Sequence, residues 1–338
     1  MVENFQANDL FKIKNKKMKN NHEIKKYSGS KILVTGGAGF VGCNLAGQLA
    51  ELGADVTIVD DLFTGELKNI ENIPIKDFIK GDVRDERLMK KIIGKFEFIF
   101  HLAARNIIVS TKNPLEDYSV NIGGTLNLLL QLKKSKNLYR FLYTSSVSIY
   151  GNTRYIPINE DDSYNLLSPY AVSKLGGESY TKVFYENYDM PTVVVRYSNV
   201  YGISQNASNP YCGVISKIIE KIKNDQRPLI HGDGEQTRDF SYVKDAVDAT
   251  LLAGISDKSV GEVYNIGTGV ETSINSLVAL INQLYHKDIS PEYIDRRDID
   301  NIRRRVVNIE KVRRALKWIP RYTLKHGLSE TIEWYNSL

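Results

Sequence analysis

From residue 31 onward, short unbroken apolar runs alternate with longer stretches of helical periodicity. The runs at 31–35, 54–59, 77–80, 96–101, 138–144 and 192–197 are rich in Val, Ile and Phe, the composition of strands covered on both faces. Between them the pattern predicts helices over 41–52, 86–93, 115–134 and 169–188. Strands separated by helices of this length imply βαβ crossovers and a parallel sheet, with Gly53 at the C-terminal cap of the first helix. After Tyr197 the rhythm changes. Residues 199–242 are rich in Gly, Asn, Asp and Pro around one helical stretch at 214–222. A helix at about 243–253 and a strand at 262–266 follow. The chain from 272 is helical, then basic (Arg296, Arg297, Arg303, Arg304, Arg305), then helical again.

Bulk properties narrow the classes. The 338 residues suit one large or two ordinary domains, and 42% hydrophobic with 25% charged residues is an ordinary globular composition. Much of the net charge of +5 comes from Lys12, Lys14, Lys16, Lys17, Lys19, Lys25, Lys26 and Lys31 within the first 31 residues, of which 1–29 are read as a solvated, flexible tail. Nothing further along supports a nucleic-acid partner. Cys43 and Cys212 form neither a disulfide framework nor a metal spacing, and the five histidines do not cluster, so no metal is expected. There is no signal-like segment and no run of 18 apolar residues, so the expectation is a cytoplasmic protein without a membrane partner.

The first predicted strand runs into Thr35-Gly36-Gly37-Ala38-Gly39-Phe40-Val41-Gly42. Glycines at 36, 39 and 42 permit a tight turn and close approach of a pyrophosphate, which then meets the N–H groups of the next helix. A glycine triplet alone is weak; strand before and helix after strengthen it. Asp60 ends the second strand, where an acid accepts hydrogen bonds from ribose hydroxyls and repels a 2′-phosphate. Asp61 follows and no arginine stands at that turn, which favours NAD over NADP. Asp82, followed by Val83, is placed to meet the adenine edge; its plainer reading is a helix N-cap. Leu102-Ala103-Ala104 end the fourth strand with small residues that let backbone pass close to a cofactor. The expected fold is therefore α/β: a Rossmann-type doubly wound parallel sheet over 30–198 plus about 243–267, holding NAD. A smaller discontinuous substrate domain takes 199–242 plus about 268–338, with the ligand in the cleft between them.

Tyr170 and Lys174 lie one predicted helical turn apart. A tyrosine is a poor base at its ordinary pKa near 10, and an ammonium group nearby favours the phenolate. The pair can deprotonate a hydroxyl as hydride leaves its carbon. Spacing alone means little, because Tyr27 and Lys31 share it ahead of the first strand. Tyr170 differs by following the fifth strand and its serine-rich end, where Ser146 can polarise the same oxygen; the plainer reading of Ser146 is a turn cap.

These motifs resemble the extended short-chain dehydrogenase/reductases, in particular the nucleotide-sugar epimerase/dehydratase group. The resemblance runs from about 31 to 334 and rests on TGGAGFVG (35–42), GDVRD (81–85), HLAA (101–104), VNIGGT (120–125), TSSVSIYG (144–151), SPYAVSK (168–174), RYSNVYG (196–202) and HGDGEQTRDFSYV (231–243). It implies that Gly36, Gly39, Phe40, Val41, Gly42, Asp60, Asp61, Asp82, Val83, Leu102, Ala103, Ala104, Asn121, Tyr170, Lys174 and Tyr197 contact NAD. It implies Ser146, Tyr170 and Lys174 as catalytic residues. Ser146, Asn199, Arg238 and, less securely aligned, Arg297 would contact the substrate, with a surface ion pair as the plainer reading of Arg238. Arg305 falls near the position that, in related 4-epimerases, limits room around the sugar C2 group; a solvated basic face is its plainer reading.

Within the group, 4,6-dehydratases place Asp-Glu directly after the catalytic hydroxyl residue, and decarboxylases a glutamate nearby. Here those positions hold Val147 and Ser148. The simpler cycle remains: C4 is oxidised, the keto-sugar turns over, and hydride returns to the other face. The reading is a 4-epimerase of a UDP-hexose, such as UDP-glucose/galactose, or of a UDP-uronate. Dehydratase, decarboxylase, other-carbon epimerase or reductase, and a non-catalytic NAD(P)-binding regulator are the alternatives. The resemblance also implies a homodimer through a four-helix bundle formed by the helices at about 115–134 and 169–188.

Overall fold

The structure is a computed structural model that describes residues 23–205, 213–296 and 301–338. Its strands, in chain order, are β1 (Lys31–Thr35), β2 (Asp55–Asp60), β3 (Asp77–Lys80), β4 (Phe98–His101), β5 (Arg140–Ser146), β6 (Thr192–Tyr197), β7 (Asn199–Tyr201), β8 (Leu229–His231), β9 (Thr237–Arg238), β10 (Phe240–Tyr242), β11 (Val263–Ile266), β12 (Thr272–Ser273) and β13 (Glu292–Ile294). Seven of them form one parallel sheet in the order β11-β6-β5-β4-β1-β2-β3. The chain builds outward from β1 through β2 to β3, then returns to β4 and builds the other way. This reversal opens a crevice at the carboxyl ends of β1 and β4.

The apolar runs are continuous because each side of the sheet has its own core. The two-residue period sends Ile32, Val34, Phe98, Phe100, Leu142, Val193 and Val195 to one layer. Their neighbours Leu33, Ile99, Phe141, Tyr143 and Val194 go to the other. The helix Val243–Ile255 is buried along nearly its whole length, and β11 after it pairs with β6, so this late segment rejoins the main sheet. The remaining short strands pair as β7 with β10, β8 with β13 and β9 with β12. A buried ion pair, Arg196 with Glu178, ties β6 to the helix Pro169–Tyr188, and Arg196 also donates to Tyr150 and to the Glu160 carbonyl.

Three local features depart from the sequence pattern. The single helix expected over 115–134 is α-helical at Pro114–Asp117 and Thr125–Leu132, with a wider π-helical turn at Tyr118–Gly124 between them. Such turns occur where a side chain must be presented out of α-helical phase. A further helix, Ile107–Lys112, starts at Asn106, whose side chain accepts from the N–H groups of Ile108 and Val109. Its β-branched residues masked the helical pattern. The fold also takes in Ile24–Tyr27, assigned above to the tail. Ile24 and Tyr27 stand three apart among lysines and are both fully buried.

Candidate active site

A cleft of about 450 Å³ runs along the carboxyl ends of the strands on both sides of the switch point. Its floor is the turn after β1. Gly36 has φ +71°, and a Cβ there would stand 2.7 Å from the Ala103 backbone nitrogen, so only glycine fits. At Gly39 a Cβ would meet only the Gly36 carbonyl, at 3.2 Å, which leaves this part of the turn open. Gly36, Gly39, Phe40, Val41 and Gly42 line the cleft, as do Leu102, Ala103 and Ala104 opposite. The helix Phe40–Glu51 begins here with its first N–H groups available to an anion.

Asp60, Asp61, Asp82 and Val83 line one end of the cleft. The Asp60 carboxylate is fixed by the N–H groups of Ala38 (2.9 Å) and Leu62 (2.8 Å), and burial raises its pKa. Asp82 is not the helix cap: Asp85 accepts from the Leu88 N–H and begins Glu86–Ile92. Asp82 is instead gripped by Arg84, whose Nη2 stands 2.6 Å away. Arg105, absent from the sequence-based set, also lines this end.

At the other end the cleft is lined by Thr144, Ser145, Ser146, Tyr170, Lys174, Tyr197 and Asn199. Strand β5 extends to Ser146, which carries the serines to the cleft edge. Ser146 Oγ accepts from the Ser148 N–H at 3.1 Å, so the residue does cap the turn Val147–Tyr150. Its hydroxyl also acts on Tyr170, whose pKa it lowers, so the two readings of Ser146 are compatible. Ser168 caps the helix Pro169–Tyr188 by accepting from the Ala171 N–H, and Pro169 takes the first position. Tyr170 and Lys174 therefore face the cleft from adjacent turns. Burial pushes the Tyr170 phenol up to about 12; the Ser146 hydrogen bond opposes this and the Asp117 charge adds to it. Burial brings the Lys174 ammonium down to about 7, against the Asp117 and Glu178 charges. Lys174 Nζ also lies 4.5 Å from the centre of the Tyr143 ring.

Beneath these residues lies a network that the sequence did not reveal. Asp117 Oδ1 accepts from Ser110 (2.5 Å), Asn121 (2.6 Å) and Ser173 (3.0 Å). His101 bridges Thr35 (2.7 Å) and Thr125 (2.9 Å), and burial lowers its pKa to about 3, with the Lys174 charge adding to the effect. Only the fold brings these distant positions together. Gly176 and Gly177 allow the approach, since Cβ atoms there would stand 2.7 Å from the Ile122 side chain and 2.4 Å from Tyr143 Oη.

Four expected contacts are not among the residues that line the cleft. Asn121, expected to touch the cofactor, is 1% exposed and outside the cleft lining; its side chain holds the Arg105 backbone N–H and carbonyl. Arg238 does not line this cleft either, and its Nη1 donates to the carbonyls of Thr237 and Ile302. Arg305 is 3% exposed, which contradicts a solvated basic face, and it too is absent from the cleft lining. Arg297 lies outside the described residues. Among the described residues no group of three or more His, Cys, Asp or Glu is placed to hold a metal ion, and no helix is long and apolar enough to cross a membrane.

The cleft has the properties of a dinucleotide site. Ser145 Oγ and Asn199 Oδ1 are buried in its wall without a hydrogen-bond partner among the described residues, an arrangement that costs about 1–3 kcal/mol per group unless a ligand or water completes it. The glycine floor, the acid at the end of β2 and the Ser-Tyr-Lys group opposite are those of an extended short-chain dehydrogenase/reductase. Within that class the chain belongs to the GDP-mannose 4,6-dehydratase family, whose profile matches residues 33–331. It is 34% identical over 312 residues to the UDP-glucose 4-epimerase of Mycolicibacterium smegmatis, covering 90% of this chain and 98% of that one. It is 33% identical over 322 residues to the UDP-N-acetyl-alpha-D-glucosaminuronate decarboxylase of Bacillus cytotoxicus, covering 90% and 98%. The crystal structure of the UDP-glucuronic acid 4-epimerase from Bacillus cereus, in complex with UDP-glucuronic acid and NAD, superposes with a TM-score of 0.84 at 29% identity, covering 91% and 99%. The family thus spans epimerase, dehydratase and decarboxylase chemistry on nucleotide sugars.

Proposed function

We propose that this chain is an NAD-dependent nucleotide-sugar 4-epimerase acting on a UDP-hexose such as UDP-glucose/galactose, or on a UDP-uronate. The distribution of carboxylates around the cleft carries this reading. Asp60, Asp61 and Asp82 line it near the ends of β2 and β3; among the described residues no carboxylate lines it beside Tyr170. Where an elimination at C6 needs an acid, the chain has the buried Val147 and the half-buried Ser148, whose hydroxyl lies 3.1 Å from Ser146 Oγ. Reversible oxidation at C4 needs one proton acceptor that later returns the proton.

NAD, when bound, supplies a hydride acceptor and donor next to the sugar. Gly36, Gly39 and Gly42 would hold its pyrophosphate, and Asp60 its ribose hydroxyls. Tyr170 takes the C4 hydroxyl proton, and Ser146 hydrogen-bonds the same oxygen. Lys174 offsets the charge of the phenolate. Burial holds the phenol near 12, so its ionisation needs positive charge beside it, which the oxidised nicotinamide ring of NAD would add when bound. Asn199 would meet the substrate diphosphate, since its amide can turn Nδ2 toward a phosphate oxygen. Arg238 and Arg297 would assist there.

We also propose a homodimer through the helices at 114–132 and 169–188. Leu115, Tyr118, Leu130, Val172 and Val183 are exposed along them, apolar side chains that a partner would cover. Light scattering on the purified protein tests this, with the dimer mass expected. For the reaction, purified protein is incubated with UDP-, dTDP-, GDP- and CDP-sugars and the products are followed by NMR. A 4-epimer of a UDP-sugar supports the reading; a 4-keto-6-deoxy product overturns it.

A further inference from the structure

The far end of the cleft is closed by a chain of alternating charges. Arg105 Nη2 donates to Asp61 Oδ2 at 2.7 Å and to Glu116 Oε1 at 2.9 Å, and Nε donates to the same Glu116 oxygen at 3.0 Å. Its guanidinium carbon lies 4.0 Å from the centre of the Phe63 ring. Its backbone is clamped by Asn121 on both the N–H and the carbonyl side. Asp61 is the centre of this clamp, because its other oxygen, Oδ1, accepts from the Phe63 N–H at 3.0 Å. Arg105 thus has little freedom, and its charge reaches both Asp60 and Asp82. Its Nη1 makes no hydrogen bond to the described protein.

This geometry changes what the sequence implied about cofactor choice. No arginine follows Asp60 in the chain, yet the fold brings one from the end of β4 to the same corner. A guanidinium beside the ribose acid is the group that accommodates a 2′-phosphate. Here it is committed to two carboxylates.

We propose that Arg105 is a latent 2′-phosphate ligand and that Asp61, by holding it, sets the preference for NAD over NADP. The proposal rests on the reading of the cleft as a dinucleotide site. Asparagine at 61 has one oxygen, so keeping the Phe63 bond turns its NH₂ toward Arg105 and removes one of the two carboxylates that hold the guanidinium, leaving the bonds to Glu116. Asp60, fixed by two backbone N–H groups, remains to bind the ribose.

The test is calorimetric titration of the full chain, freed of nucleotide, with NAD and NADP separately. Wild type is expected to bind NAD at least tenfold more tightly than NADP. In Asp61→Asn the NADP Kd is expected to fall at least tenfold, and the NADP-to-NAD Kd ratio with it. In Asp61→Asn/Arg105→Gln that gain is expected to vanish. Asp61→Ser, which cannot reach Arg105, serves as the second variant should the asparagine protein melt early. A gain that survives the loss of Arg105 overturns the proposal, because it then reflects only the removed negative charge. An unchanged NADP-to-NAD ratio in both single variants overturns it as well. Binding of neither dinucleotide by wild type removes the dinucleotide reading itself, and the proposal with it, and so is told apart from those two results.

Discussion

The chain carries two Tyr-x-x-x-Lys pairs, and the fold treats them in opposite ways. Tyr170 and Lys174 sit on consecutive turns of the helix Pro169–Tyr188 and open onto the cleft. Tyr27 closes a short 3₁₀ turn while Lys31 begins strand β1, so the same spacing puts no phenol beside an ammonium. Tyr27 is fully buried against Phe98 and Phe100, its hydroxyl donates to the Leu251 carbonyl at 2.8 Å, and Lys31 is exposed. Burial raises the pKa of both phenols. Only Tyr170 has a neighbouring serine hydroxyl in the cleft and a lysine on its own helix face. Four-residue spacing acquires chemical meaning only when a helix turns it into proximity and the sheet edge turns it toward a ligand.

The largest test of this contrast is Tyr170→Phe against Tyr27→Phe. The first is expected to lower kcat by about 10²–10⁴-fold, in the range of a lost acid/base group, with cofactor affinity retained. The second is expected to leave turnover within about twofold. Comparable losses in both, measured on the sugar that the NMR panel identifies, would break the distinction.

Next comes the anchoring of the catalytic helix. Glu178 lies two turns after Tyr170 and pairs with Arg196, both side chains 1% exposed. Glu178→Ala strands a buried guanidinium and is expected to cost about 3–5 kcal/mol in urea unfolding. A loss below about 1 kcal/mol would mean that the pair does not hold this helix.

The floor under Lys174 has a pH signature that the Tyr27 end lacks. His101 is kept neutral, with its pKa lowered to about 3, while an unfolded histidine titrates near 6.5. Below about pH 6.5 the unfolded chain takes up a proton that the native chain refuses. Stability contributed by this residue is thus present above pH 6.5 and is lost as pH falls toward 3, by up to about 1.4 kcal/mol per pH unit. Denaturation at pH 7, 6 and 5 should show a slope that flattens in His101→Gln; an equal slope in the variant would assign it elsewhere.

The smallest effect belongs to the other tyrosine. Tyr27→Phe removes one buried hydrogen bond and is expected to cost about 0.5–1.5 kcal/mol, while Lys31→Ala should stay within about 0.5 kcal/mol. A larger loss for Lys31→Ala, read from thermal melts, would give that exposed lysine a role that its position does not explain.

Much of the fold was legible because continuous apolar runs have few alternatives. Lys31–Thr35, Asp77–Lys80, Thr192–Tyr197 and Pro169–Tyr188 have the bounds that their pattern predicts. The π-helical turn at Tyr118–Gly124 was not legible, since Asn121 leaves α-helical phase to bond a backbone that is 16 residues away in sequence. The glycine turn could be read from spacing, because missing side chains are a property of the sequence. The Asp117 and His101 networks could not, since their partners come from separate elements.

By itself the sequence determined the alternation of strand and helix, the glycine turn, and the presence of Ser146, Tyr170 and Lys174, because periodicity and side-chain chemistry are local properties. The tertiary structure alone decided which Tyr-Lys pair faces the cleft. It also decided that Asn121 and Arg305 are buried away from the cleft wall, and that Arg105 stands beside Asp61. Those outcomes depend on which strand ends the sheet brings together, and a reversal of strand order joins residues that no local pattern connects.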